Sequence, residues 1–208
     1  MIIDLHIHTI PRSPCSHIEP RELVAEAKRL GIDGLCLTEH HVLWEAAELK
    51  DLDHDGGVAL FTANEITTDQ GDILVFGYPK PVPGVVPIRD LHREVAEAGG
   101  FMIAAHPLRG FKVFGLSQLQ LTPEKAAQRK VFQFVEGVEV RNGRLNDDEN
   151  GMAAQVAEHL KLVGTGGSDA HELDELGRVV TVFEKDIRSE AELIAELRSG
   201  RFTIGSVR

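Results

Sequence analysis

Ile3, Leu5 and Ile7 alternate with Asp4, His6 and His8 at the start of the chain, and a period of two is that of a β-strand. That strand spans Ile2 to Ile7, and the loop from Thr9 to His17 is rich in turn formers. Leu23, Ala27 and Leu30 then recur at helical spacing within Glu19–Leu30, and Gly31 stops the helix. The apolar run Ile32–Thr38 predicts a second strand, ending in Glu39, His40 and His41. A short helix over Glu45–Leu52 and a turn at Asp53–Gly57 lead to a third strand, which begins at Val58–Phe61 and runs out at Asn64 and Glu65. Asp72–Tyr78 predicts strand four, the Pro-rich segment Pro79–Pro87 a loop, and Ile88–Ala98 a helix closed by Gly99 and Gly100. Phe101–Ala105 is the fifth strand, with His106 and Pro107 at its end. Beyond a loop carrying Arg109, the pattern predicts a helix over Pro123–Phe132, a sixth strand over Gly137–Val140 and a helix over Asn146–Leu160. A seventh strand over Leu162–Thr165 precedes Gly166–His171, and a last strand at Val179–Phe183 and a helix at Ser189–Ser199 complete the chain.

Strands alternating with helices imply a parallel sheet in an α/β fold. Seven such units without a glycine-rich dinucleotide fingerprint fit a small barrel better than an open doubly wound sheet. No internal repeat or low-complexity linker divides the 208 residues, so a single domain over 1–208 is expected. The chain is 42% hydrophobic and 26% charged, the balance of a globular protein. A formal charge of −11 argues against a surface that coats nucleic acid. Cys15 and Cys36 are too few for a disulfide framework, and Cys36, within Gly34-Leu-Cys-Leu37, reads as a small buried hydrophobe. The first residues lack the basic and apolar regions of a signal peptide, and no apolar run is long enough to span a membrane. A cytoplasmic protein is expected.

The polar positions carry the chemistry. Alternate strand residues share a face, so His6 and His8 project together, roughly 6–7 Å apart at Cα. Two imidazoles so placed can hold one metal ion; the alternative is a surface strand with two solvated histidines. His6 and His8, His40, Glu65, His106, and Asp169 with His171 all fall at or just beyond the C-terminal ends of predicted strands. In a parallel barrel those ends converge on one face, where barrel active sites lie. Five strands each delivering an imidazole or carboxylate to one rim point to metal. Nitrogen and oxygen ligands without thiolates suit zinc, manganese or iron. A carboxylate such as Glu65 can bridge two ions, and paired ions clamp the oxygens of a phosphoryl transfer.

Asp4-Leu-His-Ile-His-Thr9, Leu37-Thr-Glu-His40, Asn64-Glu65-Ile66, Ala104-Ala-His-Pro107 and Gly167-Ser-Asp-Ala-His171 resemble the five motifs of the PHP (polymerase and histidinol phosphatase) family, in the family's order. The resemblance implies a distorted (β/α)7 barrel with two or three divalent ions (Zn, Mn or Fe) at the C-terminal ends of the strands, and phosphoesterase activity. Carried over by position, it gives His6, His8, Glu65 and Asp169 to a first metal. Glu65, bridging, and His106 go to a second, and His40 and His171 to a third. The chain departs from the pattern twice. Family members often carry a Ser-Asp-Gly after the first motif, whose aspartate is a ligand; here the run is Ser13-Pro-Cys-Ser16. Cys15 or His17 are the substitutes at hand, with a surface role for His17 as the alternative. Leu74 stands where many members have a ligand histidine. The second and third sites are thus each one ligand short. Glu39 replaces the family's aspartate and is expected to orient an imidazole through its other nitrogen. Glu139 and Asn142 point to the same rim, either as hydrogen-bond partners of the ligands or as a strand-end cap. His41 reads as a loop residue.

A phosphate substrate also needs cations. Arg109 and Arg178 are the best placed, since a guanidinium can take two phosphate oxygens at once. Arg12 and Arg141 are weaker candidates, and a surface role is the alternative for each. His54 reads as a surface residue, and His92 and His159 as structural. The expected reaction is attack on phosphorus by a metal-activated water, with His171 or His40 protonating the leaving oxygen. The expected partner is a small phosphorylated substrate, with no membrane, and nucleic acid only as a nucleotide or short oligonucleotide. Three other readings stand beside it: an amidohydrolase-like hydrolase of a C–N or ester bond, a non-catalytic metal-binding module, and a nuclease trimming DNA or RNA ends. Specificity belongs to the loops Pro11–Ile18, Pro79–Pro87 and Leu108–Leu121.

Overall fold

The alternation at the start of the chain slips once, and the slip places the site. A computed structural model, which describes residues 1–110 and 122–208, pairs β1 (Ile2–Ile7) in parallel with β2 (Gly34–His40), with a register shift between Asp4 and Ile7. Ile3 and Leu5 pack in one apolar cluster and Ile7 in another. A β-bulge adds a residue to one strand and re-aims the side chains beyond it, so Leu5 and His6 both face the interior, and His8 joins His6 there. Most of the predicted loop Leu108–Leu121, from residue 111 on, lies outside the described residues.

Seven further strands complete the sheet: β3 (Ala59–Thr68), β4 (Gly71–Phe76), β5 (Phe101–Ala104), β6 (Gly137–Asn142), β7 (Val163–Gly167), β8 (Val180–Phe183) and β9 (Phe202–Gly205). Their order is β7-β6-β5-β4-β3-β2-β1-β8-β9. The parallel sheet expected from the alternation of strands and helices forms in part. β4 runs antiparallel to both neighbours, and β8 and β9 are antiparallel as well. Only Asp69 and Gln70 separate β3 from β4, and a parallel crossover needs a dozen residues or more. β3 also continues to Thr68, so Glu65 lies within the strand instead of at its end. β9 has no counterpart in the sequence reading, being four residues long without a sustained alternation. Strands β1 to β7 form a nearly closed barrel wall. Its seam is made where Asp169 N–H donates to His6 O (2.8 Å) and His8 N–H donates to Ala170 O (3.1 Å).

The helices are α1 (Pro20–Leu30), α2 (Ala46–Leu52), α3 (Ile88–Glu97), α4 (Pro123–Ala126), α5 (Asp147–Leu160) and α6 (Glu190–Ser199). α1 buries Leu23, Val24 and Ala27, and Gly31 at φ 72° ends it, its N–H reaching Ala27 O and Lys28 O. The helix predicted over Pro123–Phe132 is instead α4 and a 3-10 turn at Lys130–Gln133, because Arg129 between them adopts extended backbone. Inside the barrel Leu5, Cys36, Phe61, Leu74, Phe76 and Phe101 fill the volume below the rim. Leu193, Ile194 and Leu197 of α6 close its floor. Among the described residues no helix is long and apolar enough to cross a membrane.

Candidate metal centre

All seven residues assigned to metals meet at the rim. Three triads each bring one ligand atom per residue within 4.8 Å of the others: His6, His8 and Asp169; His6, Glu65 and His106; and His8, His40 and His171. The first matches three of the four residues carried over to the first metal, and the other two add a β1 histidine to each incomplete set. Around the first triad the spacings are close. His6 Nε2 and His8 Nε2 lie 3.1 Å apart, and Glu65 Oε2 is 3.5 and 3.1 Å from them respectively. Asp169 Oδ1 is 3.5 Å from each. Bonds of about 2.0–2.1 Å to a tetrahedral ion separate neighbouring ligand atoms by about 3.3 Å, which these spacings straddle.

The far side of each imidazole fixes which nitrogen is offered. His6 Nδ1 faces Glu139 Oε1 at 2.9 Å, and His171 Nδ1 faces the Asp169 carbonyl at 2.8 Å. A carboxylate and a carbonyl only accept, so Nδ1 carries a hydrogen and Nε2 is the nitrogen turned to the site. His8 Nδ1 faces Ser13 Oγ at 3.3 Å. His6 Nε2 and His8 Nε2 converge to 3.1 Å, a distance at which the two nitrogens share a hydrogen or a cation. Two imidazoles framed by two carboxylates are a donor set that fits a divalent ion.

Local backbone brings these groups together. The β6–β7 register shifts between Glu139 and Arg141, and this bulge turns Glu139 and Asn142 to one space. Glu139 Oε2 accepts from His106 N–H (2.8 Å) and from Asn142 Nδ2 (2.9 Å). Gly167 packs so closely that a Cβ would lie 2.6 Å from His6 Cβ. His106 and Asp169 hold left-handed backbone, φ 29° and 56°, a strain that persists where surroundings over-determine it. Burial opposes charge on both β1 histidines, yet Asp169, Glu139 and Glu65 outweigh it and hold His6 well above the usual imidazole range. His8 is raised too, its burial outweighed by Asp169 and Glu65. Glu65 and Asp169 are both held below the carboxylate range, burial being overcome by His6 and the neighbouring imidazoles. Burial lowers His40 and His171. The centre is built to carry positive charge.

Other predicted residues lie apart. Leu74 pairs with Glu65 across β3 and β4 and belongs to the apolar interior. His17 is 74% exposed on its side chain and pairs with Glu172, and Cys15 is exposed and in none of the triads. Glu39 does not touch an imidazole; its oxygens take Thr9, Ser13 and Trp44. Arg109 reaches the centre, its guanidinium on Asp169 Oδ2. Arg178 turns to Glu175 (3.3 Å) and Asp174 (3.5 Å), and Arg12 stacks on Trp44 and pairs with Glu48. Arg141 is exposed on β6. Ser13 and Arg144, the latter 3.6 Å from Glu175 near His171, are the residues that sequence reasoning missed. Neither sits in a periodic element, so alternation carried no signal for them.

The PHP domain model matches residues 4–163, and a PHP-associated model matches residues 147–202. The chain is 31% identical over 116 residues to an uncharacterized protein of Methanocaldococcus jannaschii, covering 51% of this chain and 68% of that one. A Bifidobacterium adolescentis protein provisionally assigned as a metal-dependent phosphoesterase superposes with TM-score 0.66 at 16% identity, covering 94% of this chain and 95% of that one. PsfC of Pseudomonas syringae gives TM-score 0.64 at 21% identity, with 99% and 91% covered. A Chromobacterium violaceum amidohydrolase with bound sulfate gives 0.65 at 16%, with 99% and 98% covered. At these identities the solved structures speak for the fold, a nearly closed mixed barrel, while the domain match spans most of the chain: the protein belongs to the PHP domain family.

Proposed function

We propose that the chain is a metal-dependent phosphoesterase acting on a small phosphorylated molecule or nucleotide. One observation carries the reading: two imidazoles with converging Nε2 atoms, framed by Glu65 and Asp169. Family membership and the three triads support divalent ions and hydrolysis. Bound divalent ions supply an activated water and neutralise charge on phosphoryl oxygens. His6, His8, Glu65 and Asp169 would hold one ion, with His106 extending the set on one side and His40 and His171 on the other. The lowered values of His40 and His171 leave them neutral near pH 7, which supports the ligand role more than the acid role. Arg109, with its side chain 43% exposed, lies at the edge where a phosphate would enter, and can exchange Asp169 for two phosphate oxygens. A cavity of about 240 Å³ beside it, lined by Asp72, His106, Arg109 and Arg129, suits a small leaving group. The charge of −11 favours nucleotides or short oligonucleotides over a long polynucleotide. The sulfate of the Chromobacterium violaceum structure is a tetrahedral oxyanion on the same fold.

The test is elemental analysis of protein purified without chelator, followed by phosphate release from phosphomonoesters and nucleotides with manganese, zinc or iron. Two or three ions and phosphate release are expected. His6→Ala and Asp169→Ala should lose metal and more than about a hundredfold of turnover together. Full turnover in either variant at complete metal depletion overturns the reading. Hydrolysis of amides or carboxylic esters without phosphate release would assign the site to amidohydrolase chemistry.

A further inference from the structure

Ser13 lies in the loop that departs from the family pattern, and three groups meet on its hydroxyl. It donates to Glu39 Oε2 at 2.5 Å, faces His8 Nδ1 at 3.3 Å, and accepts the His40 backbone N–H at 3.2 Å. A serine hydroxyl has one hydrogen and two acceptor sites. The hydrogen goes to the carboxylate, whose bond is shorter and charge-assisted. The peptide N–H of His40 can only donate. What remains for His8 is an acceptor site, so His8 Nδ1 must be the donor.

Glu39 is fixed as an acceptor in turn. It is fully buried, and its oxygens also take Thr9 N–H (3.0 Å), the Thr9 hydroxyl and Trp44 Nε1–H (2.9 Å). The peptide and indole groups can only donate, and the Thr9 and Ser13 hydroxyls turn their hydrogens to the same carboxylate, so all four bonds run into Glu39. The Ser13 N–H donates to Thr9 O at 2.8 Å, which sets the hydroxyl between Glu39 and His8.

We infer that Ser13 and Glu39 form a one-way hydrogen-bond relay that locks His8 in the Nδ1–H tautomer and so presents its Nε2 lone pair to a metal ion. Ser13 and Glu39 are positioning residues, acting through His8, while the same Ser13 oxygen also takes the His40 N–H. The inference rests on the metal-binding reading of His8. It separates from a purely structural role for the loop, because Trp44 shares the Glu39 carboxylate without touching the Ser13–His8 link.

The test titrates zinc alone against a chromophoric chelator for the full-length chain, Ser13→Ala, Ser13→Thr and Trp44→Phe, with nitrogen-15 NMR of the His8 ring in the metal-free wild type. Ser13→Ala should bind zinc roughly 10- to 100-fold more weakly, Ser13→Thr should stay close to the wild type, and Trp44→Phe should lower the melting temperature without changing zinc affinity. The His8 ring should show a protonated Nδ1. Unchanged affinity in Ser13→Ala, or equal weakening in Trp44→Phe, overturns the relay while leaving the metal site intact. A protonated Nε2 with bare Nδ1 on His8 overturns it even if no variant folds. Absence of zinc binding by the wild type overturns the metal reading itself and the relay with it.

Discussion

Glu139 contributes one carboxylate to three donors, and the loss of its charge should be felt at His6. Its Oε1 receives His6 Nδ1–H, and its Oε2 receives His106 N–H and Asn142 Nδ2–H. In Glu139→Gln the amide must turn an N–H toward one of those donors. Metal affinity should then fall by roughly 10- to 100-fold, the usual effect of removing a ligand's hydrogen-bond partner. The same change removes one of three charges that hold His6 above the ordinary imidazole range against its burial. The His6 titration of the metal-free protein, followed by NMR, should move to lower pH. A His6 titration at the wild-type position would show that Glu139 does not orient this ring. The sequence placed Glu139 at the rim but left it open whether it caps a strand or serves a ligand, since that depends on a partner 133 positions away.

The strand ends were legible because alternation and the positions of His6, His8, His40, His106, Asp169 and His171 reinforce each other. Direction was not legible. Alternating hydrophobicity is the same read forwards or backwards, and only the two residues between β3 and β4 betrayed that β4 runs the other way. The bulges were hidden too, because a bulge is a property of the pairing and not of one strand. Gly167 shows what such pairing demands. It brings β7 against β1 so tightly that a Cβ would sit 2.6 Å from His6 Cβ, 3.0 Å from His6 N and 3.2 Å from Glu139 Oε1. Two of those neighbours, the strand backbone and the His6 Cβ, cannot swing aside. Gly167→Ala should therefore push the strands apart, with a stability loss of about 1–3 kcal/mol and a loss of metal affinity disproportionate to it. Urea unfolding and zinc titration of the variant check this, and unchanged values in both would mean that the seam is looser than described.

Barrel closure concentrates on Asp4, and this gives the whole molecule a pH dependence. Its fully buried carboxylate accepts from Ser168 N–H (2.9 Å) and Gly177 N–H (3.3 Å), tying β1 to the segments after β7. Burial nevertheless outweighs those bonds and raises its pKa to about 6 from 3.8. In the unfolded chain the group ionises near the lower value, so between the two the folded state holds the extra proton. Stability from this group is therefore greatest below about pH 4, declines as pH rises to about 6, and is flat above that. Each unit corresponds to about 1.4 kcal/mol, so the decline totals about 3 kcal/mol. Other groups add their own slopes: Glu65 and Asp169, held low, contribute stability lost in acid. The Asp4 share is isolated by subtracting the urea-unfolding profile of Asp4→Asn from that of the wild type, both with chelator present. The difference should fall by about 3 kcal/mol across that window and then level. A difference that stays constant with pH would mean that the closure bonds offset burial, so that Asp4 titrates alike in the folded and the unfolded chain.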